Sequence, residues 1–390
     1  MNCKISHPNK IIDCEIDLPA SKSISNRLLI IKALCKNNFN IEHLSDSDDT
    51  TILNQVLYSK NNILNVGAAG TSLRFLTSYL AIQEDKQFIL TGTNRIKERP
   101  IKNLVKTLEF LGAEISYLEE HGFPPLKIKG KKLKGGNIYL NGNISSQFIT
   151  SLLLIAPTLE NGINLTIKGT LVSASYIKMT LNILFDFGIK STWEDNVIKI
   201  KPQNYIARDY AVESDWSAAS FWFEIAALSK SCKIKLNGLR KNSIQADIKS
   251  IQIFKDLGVN SKFNNSSLIL TNNKNIYKPK TYNLIENPDL FQPLSCTLFA
   301  KDKKRNFLGT ETLKNKETDR IIAVKNELVN LKNSKVINTY EDHRMAMSFA
   351  PLCLKFGEIQ INNIQVVSKS YKQFWRDLKK AGFITNPLSD

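Results

Sequence analysis

Between Leu18 and Arg27 the chain reads Leu-Pro-Ala-Ser-Lys-Ser-Ile-Ser-Asn-Arg, then runs into the apolar pattern Leu28-Leu29-Ile30-Ile31-Lys32-Ala33-Leu34. A strand-like run that ends in a polar turn and opens into a helix aims unpaired backbone N–H groups, serine hydroxyls, Lys22 and Arg27 at one point. Those are the groups that hold an anion. A serine N-cap with two solvated cations is the plainer alternative, because caps are far commoner than phosphate sites. Recurrence weighs against it. The same design returns at Gly70-Thr71-Ser72-Leu73-Arg74, Ser145-Ser146-Gln147, Asp215-Trp216-Ser217, Pro288-Asp289 and Asp342-His343-Arg344-Met345.

Six such starts make an internal repeat. With Ser21, Gly70, Ser145, Asp215, Asp289 and Asp342 as markers, the intervals are 49, 75, 70, 74 and 53 residues, so two units are shortened. Glycines that close a helix before a strand pair supply a second marker: Gly112, Gly188, Gly258 and Gly382, at spacings of 76, 70 and 124 residues. None follows the helices expected near 48–58 and 318–332, so the short units lack their terminal hairpins. Residues 137–201 show one full unit: strand 137–141, helix 147–157, strand 163–168, helix 175–187 and a strand pair, 190–193 and 197–201. The order is β-α-β-α-β-β, an α/β architecture with right-handed crossovers. Six copies exceed one core. We expect two lobes of three units: residues 1–20 with 213–390, and residues 21–212.

Composition bounds what these units do. The 390 residues are 42% hydrophobic, and no apolar run approaches the ~20 residues of a membrane span. Without a charged, apolar, cleavable leader the expected location is the cytoplasm. Cys3, Cys14, Cys35, Cys232, Cys296 and Cys353 show no C-x-x-C spacing and accompany only four histidines, so neither a disulfide framework nor a zinc site is indicated, and each is expected as a buried reduced thiol. The net charge of +17 calls for an anionic partner, either nucleic acid or a phosphorylated small molecule. Lysine is spread beside asparagine and isoleucine, and the aromatics do not interleave with it as a base-stacking platform requires. That favours the small molecule.

Taken together, Lys22-Ser23-Ile24-Ser25-Asn26-Arg27, Gly67-Ala68-Ala69-Gly70-Thr71, Arg95-Ile96-Lys97-Glu98-Arg99-Pro100, Ser145-Ser146-Gln147, Lys316-Glu317-Thr318-Asp319-Arg320 and Asp342-His343-Arg344-Met345-Ala346-Met347 resemble the EPSP synthase family, 3-phosphoshikimate 1-carboxyvinyltransferases. The resemblance spans nearly the whole chain in order. It implies an inside-out α/β barrel fold in two lobes of three β-α-β-α-β-β units, with the active site in the cleft between them. The implied reaction moves the enolpyruvyl group of phosphoenolpyruvate to the 5-hydroxyl of shikimate 3-phosphate, a step toward chorismate and the aromatic amino acids. No cofactor, metal, nucleic acid or membrane is implied, and a monomer is expected.

By the same resemblance, Lys22, Ser23, Arg27, Ser145, Ser146, Gln147, Ser173, Tyr176, Asp289, Thr312 and Lys316 contact shikimate 3-phosphate. Tyr176 has core packing as an equal alternative. Lys22, Gly70, Arg95, Gln147, Arg320, Arg344 and Lys369 contact phosphoenolpyruvate, whose carboxylate and phosphate suit the bidentate guanidinium. Arg74 and Arg99 are divided between substrate and structural ion pairing. Asp289 resembles the base that takes the 5-hydroxyl proton, with an N-cap as its plain alternative. Glu317 resembles the group that exchanges a proton at the methylene carbon, assisted by Lys22; a helix-surface pair with Arg320 at i+3 is its alternative. His343, between Asp342 and Arg344, orders the arginine.

The chain departs from the family pattern in two places. Ala68 stands where the family often has Asn, and Thr312 lies near another such Asn, so a donor to each substrate is replaced or missing. The runner-up enzyme, UDP-N-acetylglucosamine enolpyruvyltransferase, carries a reactive loop cysteine and a Lys-Asn pair where this chain has Lys22-Ser23. A nucleic-acid-binding scaffold on the same repeats is the reading from another class.

Overall fold

The structure is a computed structural model, and it describes residues 1–273 and 280–388. The chain divides into two compact units: unit one is Met1–Ser21 with Glu213–Asp390, and unit two is Lys22–Val212.

Unit two holds three repeats. Strand Gly136–Asn141 leads through helix Ser146–Ile155 to strand Ile163–Lys168, then through helix Ala174–Asp186 to strands Ser191–Glu194 and Val197–Ile200. The first two strands pair in parallel, and the returning hairpin pairs antiparallel on Ile163–Lys168. Strands Ile63–Asn65, Gln87–Thr91, Glu114–Tyr117 and Leu126–Lys129 repeat this pattern. The remaining repeat is short: Ile41–Glu42 pairs in parallel with Tyr210–Ala211, and no hairpin follows.

Unit one also has three repeats. Strand Ile11–Asp17 pairs in parallel with Ser231–Asn237, which carries the hairpin Val259–Asn264 and Ser267–Asn272. Strands Thr281–Asn283 and Asn306–Leu308 form the second short repeat. The last repeat differs from the expectation of a strand pair after Gly382: a single strand, Ile384–Leu388, follows. The N-terminal strand Asn2–Ser6 lies between it and Ile359–Ile361 as the missing hairpin partner. The pattern is satisfied across the two ends of the chain, where no local sequence signal reaches.

Burial explains the layering. Helices Lys22–Leu34, Gly70–Ala81 and Ser146–Ile155 are buried on most faces and pack on one another in unit two. Trp216–Leu228, Phe291–Ala300 and His343–Phe349 do the same in unit one, where Trp216, Trp222, Phe221 and Phe349 fill the core. A helix apolar all round must be enclosed. Among the described residues the inside-out arrangement is thus three enclosed helices per unit with separate sheets of four, four and two strands, and no strand ring closes. The marker glycines Gly112, Gly188, Gly258 and Gly382 all have positive φ, from 80° to 106°, which lets the chain turn out of a helix without a Cβ penalty.

Among the described residues no helix is long and apolar enough to cross a membrane. The six cysteines are free; Cys3, Cys232, Cys296 and Cys353 are buried as expected, whereas Cys14 and Cys35 are half-buried.

Candidate active site

In each unit, three enclosed helices bring their N-termini together. In unit two, Gln147 Nε2 donates to Thr71 Oγ1 at 3.0 Å and so ties the start of one helix to the start of another. Lys22 opens its helix with Nζ 3.2 Å from Asp49 Oδ2, which lies at the start of helix Asp48–Leu57. Arg27, 4% exposed, uses four of its five N–H groups on neutral acceptors: Nε on Thr180 Oγ1 (2.9 Å), Nη1 on the Ser23 carbonyl (2.6 Å), and Nη2 on Thr150 Oγ1 (3.3 Å) and the Tyr176 carbonyl (3.2 Å). Burial pulls its pKa down to about 10, offset in part by Tyr176.

Ser145 caps its helix, accepting from the Gln147 N–H at 3.3 Å, and Ser146 is the first helical residue. Ser173 precedes helix Ala174–Asp186 in the left-handed region, φ 57°, and its hydroxyl makes no cap bond. The backbone of Gly70 is not in that region, and the space beside it is occupied by arginine. A Cβ built there would overlap the Arg99 guanidinium and lie 2.9 Å from Arg74 Nη1. Arg74 donates to the Gly70 and Pro100 carbonyls at 2.9 and 3.3 Å, so these carbonyls anchor it beside the turn. Arg95 lies on the short helix Asn94–Lys97, 40% exposed and paired with Glu98 at 2.6 Å.

Unit one handles charge differently. Arg320, the first residue of helix Arg320–Asn333 behind the Asp319 cap, meets three carboxylates: Asp342 Oδ2 at 2.7 Å, Asp289 Oδ1 at 2.9 Å and Glu317 Oε2 at 2.9 Å. Burial alone would depress its proton affinity, but the three carboxylates raise it above the usual arginine value. Arg344 Nη2 lies 3.0 Å from Asp289 Oδ2. Asp342 caps helix His343–Phe349 through the Arg344 N–H at 2.9 Å and accepts from Gln292 Nε2 at 3.3 Å, joining two helix starts. The buried His343 ring has Nδ1 3.8 Å from Asp342 Oδ1, too long for a hydrogen bond.

The N-cap alternative for Asp289 fails. The residue lies within the turn Pro288–Leu290, and its carboxylate faces Arg320 and Arg344. For Glu317 the i+3 pair with Arg320 is present. Lys316 ends the turn Glu311–Asn315 that contains Thr312, and Lys369 Nζ donates to the Glu341 carbonyl at 3.0 Å.

Several participants carried no sequence signal. Asp49, Thr150 and Thr180 hold Lys22 and Arg27 from other helices, and only the fold brings them there. Asp342 marks a helix start in the sequence, but its grip on Arg320 and on Gln292 is tertiary.

Enclosed helices with clustered cationic N-termini, set in two similar three-repeat units, define an anion-handling α/β enzyme. Its fold is that of a solved EPSP synthase structure from Acinetobacter baumannii, with TM-score 0.78, 22% identity and coverage of 99% of this chain and 100% of that one. The sequence is 44% identical to a 3-phosphoshikimate 1-carboxyvinyltransferase of Bacteroides fragilis, covering 98% of each chain. It is 34% identical to one of Vibrio campbellii, covering 95% of this chain and 97% of the other. The profile of the EPSP synthase (3-phosphoshikimate 1-carboxyvinyltransferase) family matches residues 51–378. This chain belongs to that family. The UDP-N-acetylglucosamine and nucleic-acid alternatives gain nothing from these matches.

Proposed function

We propose that the protein transfers the enolpyruvyl group of phosphoenolpyruvate to the 5-hydroxyl of shikimate 3-phosphate and releases phosphate. On this reading it works in the cytoplasm as a monomer on small molecules alone, without nucleic acid, membrane or cofactor. The observation that carries the reading is Asp289, a carboxylate gripped by two arginines, Arg320 and Arg344. The carboxylate of phosphoenolpyruvate competes for those guanidinium groups, and Asp289 is freed as a base when they turn to the ligand.

Asp289 takes the 5-hydroxyl proton as that oxygen bonds to C2 of phosphoenolpyruvate, and the methylene carbon gains a proton from Glu317 with Lys22 assisting. The resulting ketal then loses a proton from the same carbon to Glu317 and expels phosphate, leaving the enol ether. Lys22, Ser23, Arg27, Ser145, Ser146, Gln147, Ser173 and Tyr176, with Thr312 and Lys316, hold shikimate 3-phosphate. Gly70, Arg95, Gln147, Arg320, Arg344, Lys369 and Lys22 hold phosphoenolpyruvate.

Phosphate release, with each substrate omitted in turn, tests this. Release only when both are present is expected. Release with a uridine diphosphate sugar in place of shikimate 3-phosphate contradicts it.

A further inference from the structure

Asp247 begins its turn, Ala246–Lys249, as the second residue and is 5% exposed. Its Oδ2 accepts from Ser217 Oγ at 2.5 Å, in the first turn of helix Trp216–Leu228. Its Oδ1 accepts from Asn287 Nδ2 at 3.2 Å. Asn287, 1% exposed, immediately precedes the turn Pro288–Leu290 that carries Asp289. Asp247 therefore holds the side chain of Asn287, two residues before Asp289. It makes no ion pair among the described residues. A buried carboxylate held only by a hydroxyl and an amide is costly to keep charged, and that cost marks a site where the charge is used.

We propose that Asp247 is a positioning residue whose negative charge makes Asp289 a better proton acceptor; the proposal rests on the reading of Asp289 as the base. The charged groups acting on Asp247 are Asp289 and, from helix His343–Phe349, Arg344; Lys249 in its own turn is exposed. Burial first, then the charge of Asp289, push the Asp247 carboxyl up to about 6, while Ser217, Arg344 and Asn287 pull the other way. Below that pH the protonated oxygen donates to Ser217 Oγ instead of accepting from it, and Oδ1 still accepts from Asn287. The hold on Asn287 survives protonation and only the charge is lost. The charges of Asp247 and Asp289 repel, so an ionised Asp247 favours transfer of the 5-hydroxyl proton to Asp289, and a neutral one does not.

Asn is the uncharged isostere, so Asp247→Asn copies the low-pH form at every pH. The test is kcat/KM for phosphate release from pH 5 to 8 on wild type, Asp247→Asn and Asp289→Asn, with melting temperatures alongside. Titration of the substrates' own phosphates cancels in the ratio of wild type to Asp247→Asn. That ratio should be near one at pH 5 and rise through about pH 6 to roughly tenfold at pH 8, the scale of one pKa unit between neighbouring charges.

The folded-state carboxyl is raised above its ordinary value, so its contribution to stability is present at low pH and lost as pH rises through about 6. Asp247→Asn should therefore melt higher than wild type at pH 8, by a margin that narrows as pH falls from about 6 toward the ordinary carboxyl value of 3.8. A ratio that stays flat, at one or at any other value, overturns the proposal, as does an Asp247→Asn protein that melts lower at pH 8. Should that variant not fold, Ser217→Ala is read instead: loss of the hydroxyl donor must move the wild-type midpoint upward, and an unmoved midpoint also overturns it. If Asp289→Asn keeps its turnover, the base assignment itself is what fails.

Discussion

Arg27 in unit two and Arg320 in unit one are both buried arginines near the start of a helix, 4% and 1% exposed, yet the first is surrounded by neutral groups and the second by carboxylates. Arg27 is held by two hydroxyls and two carbonyls, all neutral, so its positive charge remains uncompensated in a place where burial already disfavours it. An anionic ligand relieves that cost. Arg320 is surrounded by Asp342, Asp289 and Glu317, and its charge is more than matched by the protein itself. Here an anion must compete with carboxylates, and those carboxylates are groups that can move protons. The repeats thus supply the same scaffold of clustered helix N-termini twice. Unit two's copy encloses a cation among neutral acceptors, and unit one's copy encloses carboxylates paired with arginines.

Substitutions that remove each arginine without changing side-chain bulk greatly should separate the two designs. Arg320→Met leaves three carboxylates facing one another, one of them fully buried, and should cost about 3–5 kcal/mol of stability in urea denaturation. A loss below about 1 kcal/mol would mean that the carboxylates are not held together by this cation. Arg27→Met strands only neutral acceptors, so a smaller loss of about 1–3 kcal/mol is expected, read from the same denaturation curves. An equal or larger loss than for Arg320→Met would erase the contrast. The smallest effect belongs to Gly70→Ala. The backbone there tolerates a side chain, but the Cβ must displace the Arg99 guanidinium, a flexible group. The KM for phosphoenolpyruvate should rise about fivefold, near 1 kcal/mol, with the melting temperature and the KM for shikimate 3-phosphate preserved. A fall in melting temperature with both KM values raised would instead indicate a backbone role.

Much of this arrangement was legible in the sequence because it is local. Ser145, Asp319 and Asp342 each cap a helix within three residues of themselves, and Gly112, Gly188, Gly258 and Gly382 each end one. The short repeats were visible as missing glycine markers, and the strand pairing ends where they predict. What was not legible depends on distant segments meeting. Strand Asn2–Ser6 completes a sheet with residues from the other end of the chain, since nothing in its alternating pattern names a partner. Asp289 carries an N-cap as its plain alternative until the fold sets Arg320 and Arg344 against it. Thr150 and Thr180 look like ordinary buried helix threonines, and their grip on Arg27 comes only from the packing of three helices. Asp247 lies in no motif at all.

The contrast between the units is tested most directly by titrating shikimate 3-phosphate calorimetrically into wild type, Arg27→Met and Asp289→Asn, with turnover measured on the same preparations. Asp289→Asn should keep its Kd within about threefold of wild type while turnover falls roughly 10²-fold or more, the scale of losing a positioned base, and Arg27→Met should lose most of its affinity. Loss of affinity in Asp289→Asn in step with its turnover, or undiminished affinity in Arg27→Met, would contradict the assignment of Arg27 to binding shikimate 3-phosphate and of Asp289 to proton transfer.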